Sequence, residues 1–114
     1  MDGILDTIKK MLGVTGSDFD VDIRVGINDA LSKLRQLGVG PVSGFIVTGN
    51  FELWENFVDK TDPRFSMVQT YVYYNTKIMF DPPTNSSVLS AMKEAIRELE
   101  CRIQYEEDSG HKTT

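Results

Sequence analysis

The residues whose types and spacing best suit metal chemistry are three alternating carboxylates near the start of the chain, Asp18, Asp20 and Asp22. This spacing is typical of a calcium-binding loop, in which side-chain oxygens surround the cation. Such a loop also needs glycine at its sixth position and glutamate at its twelfth, where this chain has Ile23 and Asp29. The sequence therefore predicts no calcium site, and we assign the carboxylates to the first turns of a helix, whose dipole they favour.

Nucleophilic or phosphate chemistry would depend on the single cysteine, the single histidine and a glycine-rich stretch. Cys101 and His111 have no third group to orient them as a catalytic pair, and two ligands are too few for a zinc site. The glycines of residues 38–49 are not followed by Gly-Lys-Ser/Thr and do not have GxGxxG spacing. We therefore predict that the chain is not an enzyme and has no catalytic residue, metal ligand or cofactor.

The composition is that of one soluble domain with an acidic balance. The 114 residues carry a net charge of −5, and the twelve basic residues are scattered, which argues against a surface that grips nucleic acid through its phosphates. A lone cysteine cannot form an intramolecular disulfide, and no apolar run approaches the roughly 20 residues that span a membrane. We expect a protein made in a reducing cytoplasm, without a signal peptide or membrane segment.

Five stretches of the chain have the apolar spacing of amphipathic helices. They are residues 4–12, 17–37, 51–58, 63–80 and 87–105. Ser17 is the predicted N-cap of the second helix, and Asp62 with Pro63 is the predicted start of the fourth. The sequence thus predicts a mainly α fold, a small bundle of four to five helices over residues 1–106, followed by a polar tail over residues 107–114 that would be disordered alone.

Residues 39–50 differ from the rest of the chain, because four glycines and a proline punctuate residues 38–49. The centre, residues 45–48, is β-prone but too short to form a sheet unaided. It could pair with another stretch of this chain or add to a strand of another subunit. We interpret residues 39–50 as a protruding, glycine-rich arm with a short β-prone segment.

Aromatic residues beside and beyond this arm are the other candidates for an interface. Trp54 fits either a core anchor under the third helix or an interface hot spot. Residues 71–74 (YVYY) cover more of the fourth helix than one core face requires, so some of these tyrosines are expected to meet a partner. The predicted interface residues are Val42, Phe45, Ile46, Val47, Thr48, Phe51, Trp54, Tyr73 and Tyr74.

The order of several short motifs resembles the head–tail connector (adaptor) proteins of tailed bacteriophages. They are LGV at 12–14, the acidic helix start at 17–22, LRQLGVGP at 34–41, GFIVTG at 44–49, Trp54, DPR at 62–64, YVY at 71–73, FDPP at 80–83 and the helix at 88–103. Each motif is weak alone, but together they cover nearly the whole chain.

The resemblance implies a homo-oligomeric ring of about twelve copies at the head–tail interface of the virion. Such a ring joins the portal protein to the stopper or tail-completion protein and encloses DNA without reading its sequence. In the family the C-terminal segment reaches the portal, which points here to Arg102, Gln104, Tyr105, His111 and Lys112. The alternative is a small non-enzymatic phage interaction or tail-completion protein that acts as a monomer or dimer.

Overall fold

Five helices form the fold in a computed structural model that describes the backbone of residues 3–112 and the side chains of residues 3–106. They are α1 (Ile4–Leu12), α2 (Asp20–Gln36), α3 (Trp54–Phe57), α4 (Phe65–Phe80) and α5 (Ser86–Lys112). Within the described residues the only β-type pairing is an isolated antiparallel bridge between Gly3 and Leu53. The predicted mainly helical bundle is confirmed, whereas the β-prone centre of residues 39–50 forms no strand.

The core lies between α2 and α4, with α1 and α5 covering its sides. Its largest fully buried members come from several elements of the chain: Ile4, Leu5, Ile8, Ile23, Ile27, Leu31, Leu34, Trp54, Tyr71 and Ile103. The two central helices approach closely at Gly26, where an added Cβ would lie 3.1 Å from Cγ2 of Thr76. Since close packing leaves no spare volume there, glycine sets the distance between these helices.

Short polar contacts attach the N-terminal helix to the rest of the subunit. The Ile4 amide donates a hydrogen bond to the Glu52 carbonyl at 2.9 Å, and the indole Nε1 of Trp54 donates to Thr7 Oγ1 at 3.1 Å. Lys9 forms an ion pair with Asp20 at 2.7 Å. A helix of nine residues is not stable alone, so α1 depends on these contacts and on its buried apolar face.

Two helix starts differ from the sequence prediction. Helix α2 begins at Asp20 with Phe19 at the N-cap and no side-chain cap, so the predicted capping role of Ser17 is wrong. Helix α4 begins at Phe65, two residues after the predicted position, because the Asp62 carboxylate accepts a hydrogen bond from the Arg64 amide at 2.8 Å and holds a turn there. The Arg64 side chain also bonds this carboxylate, which lowers the pKa of Asp62.

Helix α5 is longer than predicted. The Asn85 side chain accepts hydrogen bonds from the amides of Ser87 and Val88 at 2.8 and 3.2 Å and so caps its first turn. The 27 residues make a rod of roughly 40 Å, close to the longest dimension of the molecule, 45 Å. The helix continues across the predicted boundary between residues 106 and 107, because adding residues to an existing helix costs far less than starting one. The prediction that the polar tail would be disordered alone stays a prediction, and residues 113–114 lie outside the described residues.

Candidate assembly surfaces

The segment of residues 39–50 lies on the body of the subunit. The side chain of Asn28 in α2 accepts a hydrogen bond from the Val47 amide at 2.7 Å and donates one to the Val47 carbonyl at 3.1 Å. The guanidinium of Arg24 donates to the Thr48 carbonyl. Val39 and Val47 are buried in the core, Val47 with 1% of its surface exposed. The predicted protruding arm is therefore not found, because side chains of α2 satisfy the backbone groups that a second strand would otherwise pair.

The outer side of this segment presents three exposed apolar side chains, Val42, Ile46 and Phe51, which we call the loop surface. Val42 is 90% and Phe51 86% exposed. Thr48 is also exposed, but its hydroxyl donates to the Glu52 carboxylate at 2.7 Å within the same loop. Single exposed apolar residues are normal on a protein surface, but three large ones on one loop are not. The loop surface therefore remains a candidate interface.

A cavity of about 230 Å³ lies between the loop and α2. Its lining is mainly apolar and includes Leu31, Phe45 and Phe57, with Arg35 among the polar groups. Phe45 packs edge-on against Phe57 at a ring-centroid distance of 5.4 Å, so it is partly committed to the fold of the subunit. The cavity is suited to an apolar side chain and contains no set of convergent catalytic groups.

The predicted aromatic interface residues divide between the core and the surface. Trp54 is 2% exposed, so the structure favours the interpretation of this residue as a core anchor. Tyr73 and Tyr74 are half-buried on α4, with ring centroids 5.6 Å apart. Val47 is also a core residue, and its backbone amide and carbonyl are both hydrogen-bonded to the Asn28 side chain. The assignment of Trp54 and Val47 to an interface stays a prediction that their burial does not favour, and the other predicted positions keep accessible surface.

At the C-terminal end the structure brings together several predicted residues. Arg102 and Tyr105 are exposed on α5 and line a cavity of about 230 Å³ with Met67 and Cys101. Gln104 is partly buried in the same turn. The backbone of His111 and Lys112 belongs to α5, but their side chains lie outside those that the structure describes. Cys101 is exposed and has no disulfide partner.

A contact between α4 and α5 holds this end of the rod on the body. The hydroxyl of Tyr71, which is fully buried, donates to the Glu100 carboxylate at 2.6 Å. Burial, together with this hydrogen bond to a carboxylate, raises the pKa of Tyr71 well above its ordinary value. Leu99 and Ile103 pack into the core on either side of Glu100. The second half of α5 is thus fixed to the body.

Sequence reasoning missed two further apolar surfaces. The first is a groove at the start of α2 and the end of α4, with a cavity of about 380 Å³ lined by Phe19, Asp22, Val25, Met79 and Phe80. The second lies at the start of α5, where Val88 is half exposed and Leu89 and Met92 are partly buried. The sequence signal for the groove was Val21 and Val25, which are four residues apart on α2 and lie off its buried face.

Among the residues that the structure describes, no group of three or more His, Cys, Asp or Glu side chains is arranged to hold a metal ion. In the same part of the chain no helix combines the length and apolar character that crossing a membrane requires.

Comparison with known proteins identifies the family. The family model described as phage connector protein matches residues 4–110, nearly the entire chain. The chain therefore belongs to the phage connector protein family, and the family resemblance inferred from the motif order is confirmed. No curated protein and no solved structure matches the chain.

Proposed function

We propose that the chain is a structural, non-enzymatic subunit of a phage head–tail connector, assembled as a ring of about twelve copies around the DNA path. In this role it joins the portal protein above to the stopper or tail-completion protein below. The family match over residues 4–110 is the observation that carries the proposal. This match supports a structural role in a phage connector, and the ring and its partners belong to the proposal.

The distribution of exposed apolar side chains supports an assembly role. A ring subunit needs at least two surfaces for its neighbours in the ring and others for the components above and below. The chain offers the loop surface, the groove of α2 and α4 and the C-terminal end of α5. A monomeric protein with one binding partner would need only one such surface.

The charge of the chain supports a place along a DNA path. A net charge of −5 per subunit becomes strongly negative when copies are arranged in a ring. Phosphates are repelled by such a surface, so DNA can pass without being held. We propose that the ring encloses DNA and makes no sequence-specific contact with it.

The test images the purified chain by negative-stain electron microscopy and measures the mass of its assemblies by native mass spectrometry. Both measurements are made on the chain alone and on the chain mixed with the portal protein of the same phage. We expect rings, either in the free protein or on the portal. A strict monomer or dimer with no affinity for portal or tail proteins would contradict the proposal and favour the small interaction protein.

A further inference from the structure

The groove at the start of α2 and the end of α4 is an apolar hollow that the subunit leaves open. Its volume is about 380 Å³, and Val25 and Met79, which line it, are 55% and 52% exposed. The rings of Phe19 and Phe80 also line it and pack edge-on against each other, with their centroids 5.5 Å apart. This packing holds both rings in place, so the groove is formed before a partner binds.

The loop surface carries the two most exposed large apolar side chains of the described chain, Val42 and Phe51. Ile46, which lies between them in sequence, is 66% exposed. The next residue, Val47, is held on α2 by both hydrogen bonds of Asn28, so Ile46 is presented on a fixed backbone. Little conformational entropy is therefore lost when this loop binds in a groove.

The charges beside the groove and the loop surface are opposite. Asp22 lines the groove and Asp18 lies just before it, and both side chains are exposed. Arg35 is exposed beside the loop, with its Nη1 3.5 Å from the Val42 carbonyl oxygen. Asp18, Asp22 and Arg35 form no ion pair within the part of the chain that the structure describes. Opposite charges without internal partners favour the association of the two surfaces and set its orientation.

The same charges disfavour a symmetric pair in which two grooves meet. Such a pair would bring Asp18 and Asp22 of both copies together, and like charges repel. Asp22 and Arg35 stand thirteen residues apart on α2, which places them about 140° apart around the helix axis. The groove and the loop surface therefore lie on different sides of α2, and two neighbours can occupy them at once.

We infer that Val42 and Ile46 of one copy pack into the groove of α2 and α4 in the next copy, where Arg35 faces Asp22. The inference rests on the proposed ring, and it names the contact between neighbours. Each copy carries one loop surface and one groove, so the contact is head-to-tail and repeats from copy to copy until the ring closes. One such contact is small for a specific interface, so isolated pairs associate weakly and closure stabilises the ring.

Disulfide trapping tests the contact even where isolated pairs are weak. In a Cys101→Ser background, one chain carries both Met79→Cys in the groove and Val42→Cys on the loop surface. On mild oxidation we expect crosslinked species beyond the dimer, formed on the order of tenfold faster than by a chain with Met79→Cys and Tyr105→Cys. Tyr105 is the matched control because it is 69% exposed and lies at the C-terminal end of α5, outside both surfaces.

The single variants Met79→Cys and Val42→Cys distinguish a head-to-tail contact from a symmetric pair. Each has one cysteine, so it forms a crosslinked dimer only where the same surface of two copies meets. We expect both to crosslink no faster than Tyr105→Cys alone. A double variant whose products stop at the dimer, or a single variant that crosslinks as fast as the double variant, would overturn the head-to-tail arrangement.

Charge exchange tests the facing of Arg35 and Asp22 without cysteines. Asp22→Lys and Arg35→Glu should each lower the fraction of assembled protein several-fold in native mass spectrometry, and the double variant should recover most of it. Both changes reverse a charge that favours the dipole of α2, so lost helix stability alone would make the double variant the worst. Gln36→Glu, at the exposed position next to Arg35, controls for added negative charge. A double variant as defective as the worse single variant would overturn the pairing.

The failure of this inference differs from the failure of the proposed function. Rings that form normally, while the chain with Met79→Cys and Val42→Cys crosslinks no faster than its Tyr105→Cys control, would overturn the contact between loop surface and groove and leave the connector role intact. A protein that neither forms rings nor binds the portal would contradict the connector role itself, and with it the inference.

Discussion

At the scale of single residues, Asn28 is the side chain that fixes the loop of residues 39–50. Its amide group satisfies both backbone groups of Val47, which is buried. The sequence did not predict this role, because an asparagine in the middle of a helix is usually a weak helix former with a solvated side chain. Asn28 has these hydrogen-bond partners because the folded chain brings Val47 next to it, which the sequence does not show.

We expect Asn28→Ala to lower the free energy of unfolding by about 1–3 kcal/mol, because the buried amide and carbonyl of Val47 are left without partners. Urea denaturation followed by circular dichroism measures this. Ser32→Ala is the matched control, since Ser32 lines the same cavity one turn later and is exposed. Equal losses in the two variants would show that the hydrogen bonds of Asn28 contribute nothing specific.

Gly40 and Gly44 provide a second residue-scale prediction. Both have positive φ, 92° and 101°, so alanine is strained at either position. At Gly40 an added Cβ would also lie 2.4 Å from the ring of Phe57, whereas nothing lies within 4 Å at Gly44. We expect Gly40→Ala to lower the free energy of unfolding by about 1–3 kcal/mol more than Gly44→Ala, measured in urea. The same loss in both variants would mean that the Phe57 ring moves aside freely.

At the scale of elements, the junction of α4 and α5 is held by Tyr71 and Glu100. The raised pKa of Tyr71 means that the folded chain keeps the phenol proton at a pH where the unfolded chain releases it. The stabilisation is complete below the ordinary pKa of 10.0 and is lost as the pH rises above it. Alkaline pH therefore weakens the attachment of α5 to the body.

We expect the free energy of unfolding to fall between pH 9 and 11, with a contribution from Tyr71 that approaches about 1.4 kcal/mol per pH unit above the ordinary pKa. Tyr71→Phe should lose that contribution and should also be less stable at pH 7, by about 1.5–3 kcal/mol, because the hydrogen bond to a charged group is gone. Tyr105→Phe, at an exposed position of α5, is the control. An unchanged pH profile in Tyr71→Phe would contradict this account.

The sequence predicted the presence of the helices better than it predicted where they begin and end and which of their faces are buried. The apolar spacing of α1, α2 and α4 was enough to place them, because an amphipathic face of that length has few other ways to be buried. The start of α4 was misplaced because Asp62 forms a turn with Arg64 before the helix begins. On the apolar face of α5, Leu99 and Ile103 are buried in the core and Ile96 is partly buried against it, while Val88 at the start of the helix is half exposed. The spacing of apolar residues shows that one face of a helix is apolar. It does not show how much of that face the rest of the subunit covers.

At the scale of the whole molecule, the C-terminal half of α5 is the part proposed to reach the portal. Removal of residues 107–114 leaves Leu99, Ile103 and the Tyr71–Glu100 hydrogen bond in place. We expect the free energy of unfolding to change by less than about 0.5 kcal/mol, while attachment to the portal weakens markedly in a pull-down or sedimentation assay. Replacing residues 107–112 with alanines, which keeps the helix, separates the effect of side chains from that of helix length. Unchanged portal binding in the truncated chain would refute the role of this end.

Helix periodicity and motif order can both be read from the sequence without knowing the fold. The sequence alone therefore determined that this is a mainly helical chain of the phage connector family. It also determined the acidic charge, which depends only on composition. The tertiary structure decided that residues 39–50 lie on the body instead of protruding, because the partners of that backbone are side chains from a helix about twenty residues away. It likewise decided which apolar residues stay exposed. Burial is a competition among surfaces, and only the packed chain shows that Phe19, Val25 and Met79 stay exposed while Val39 and Val47 are buried.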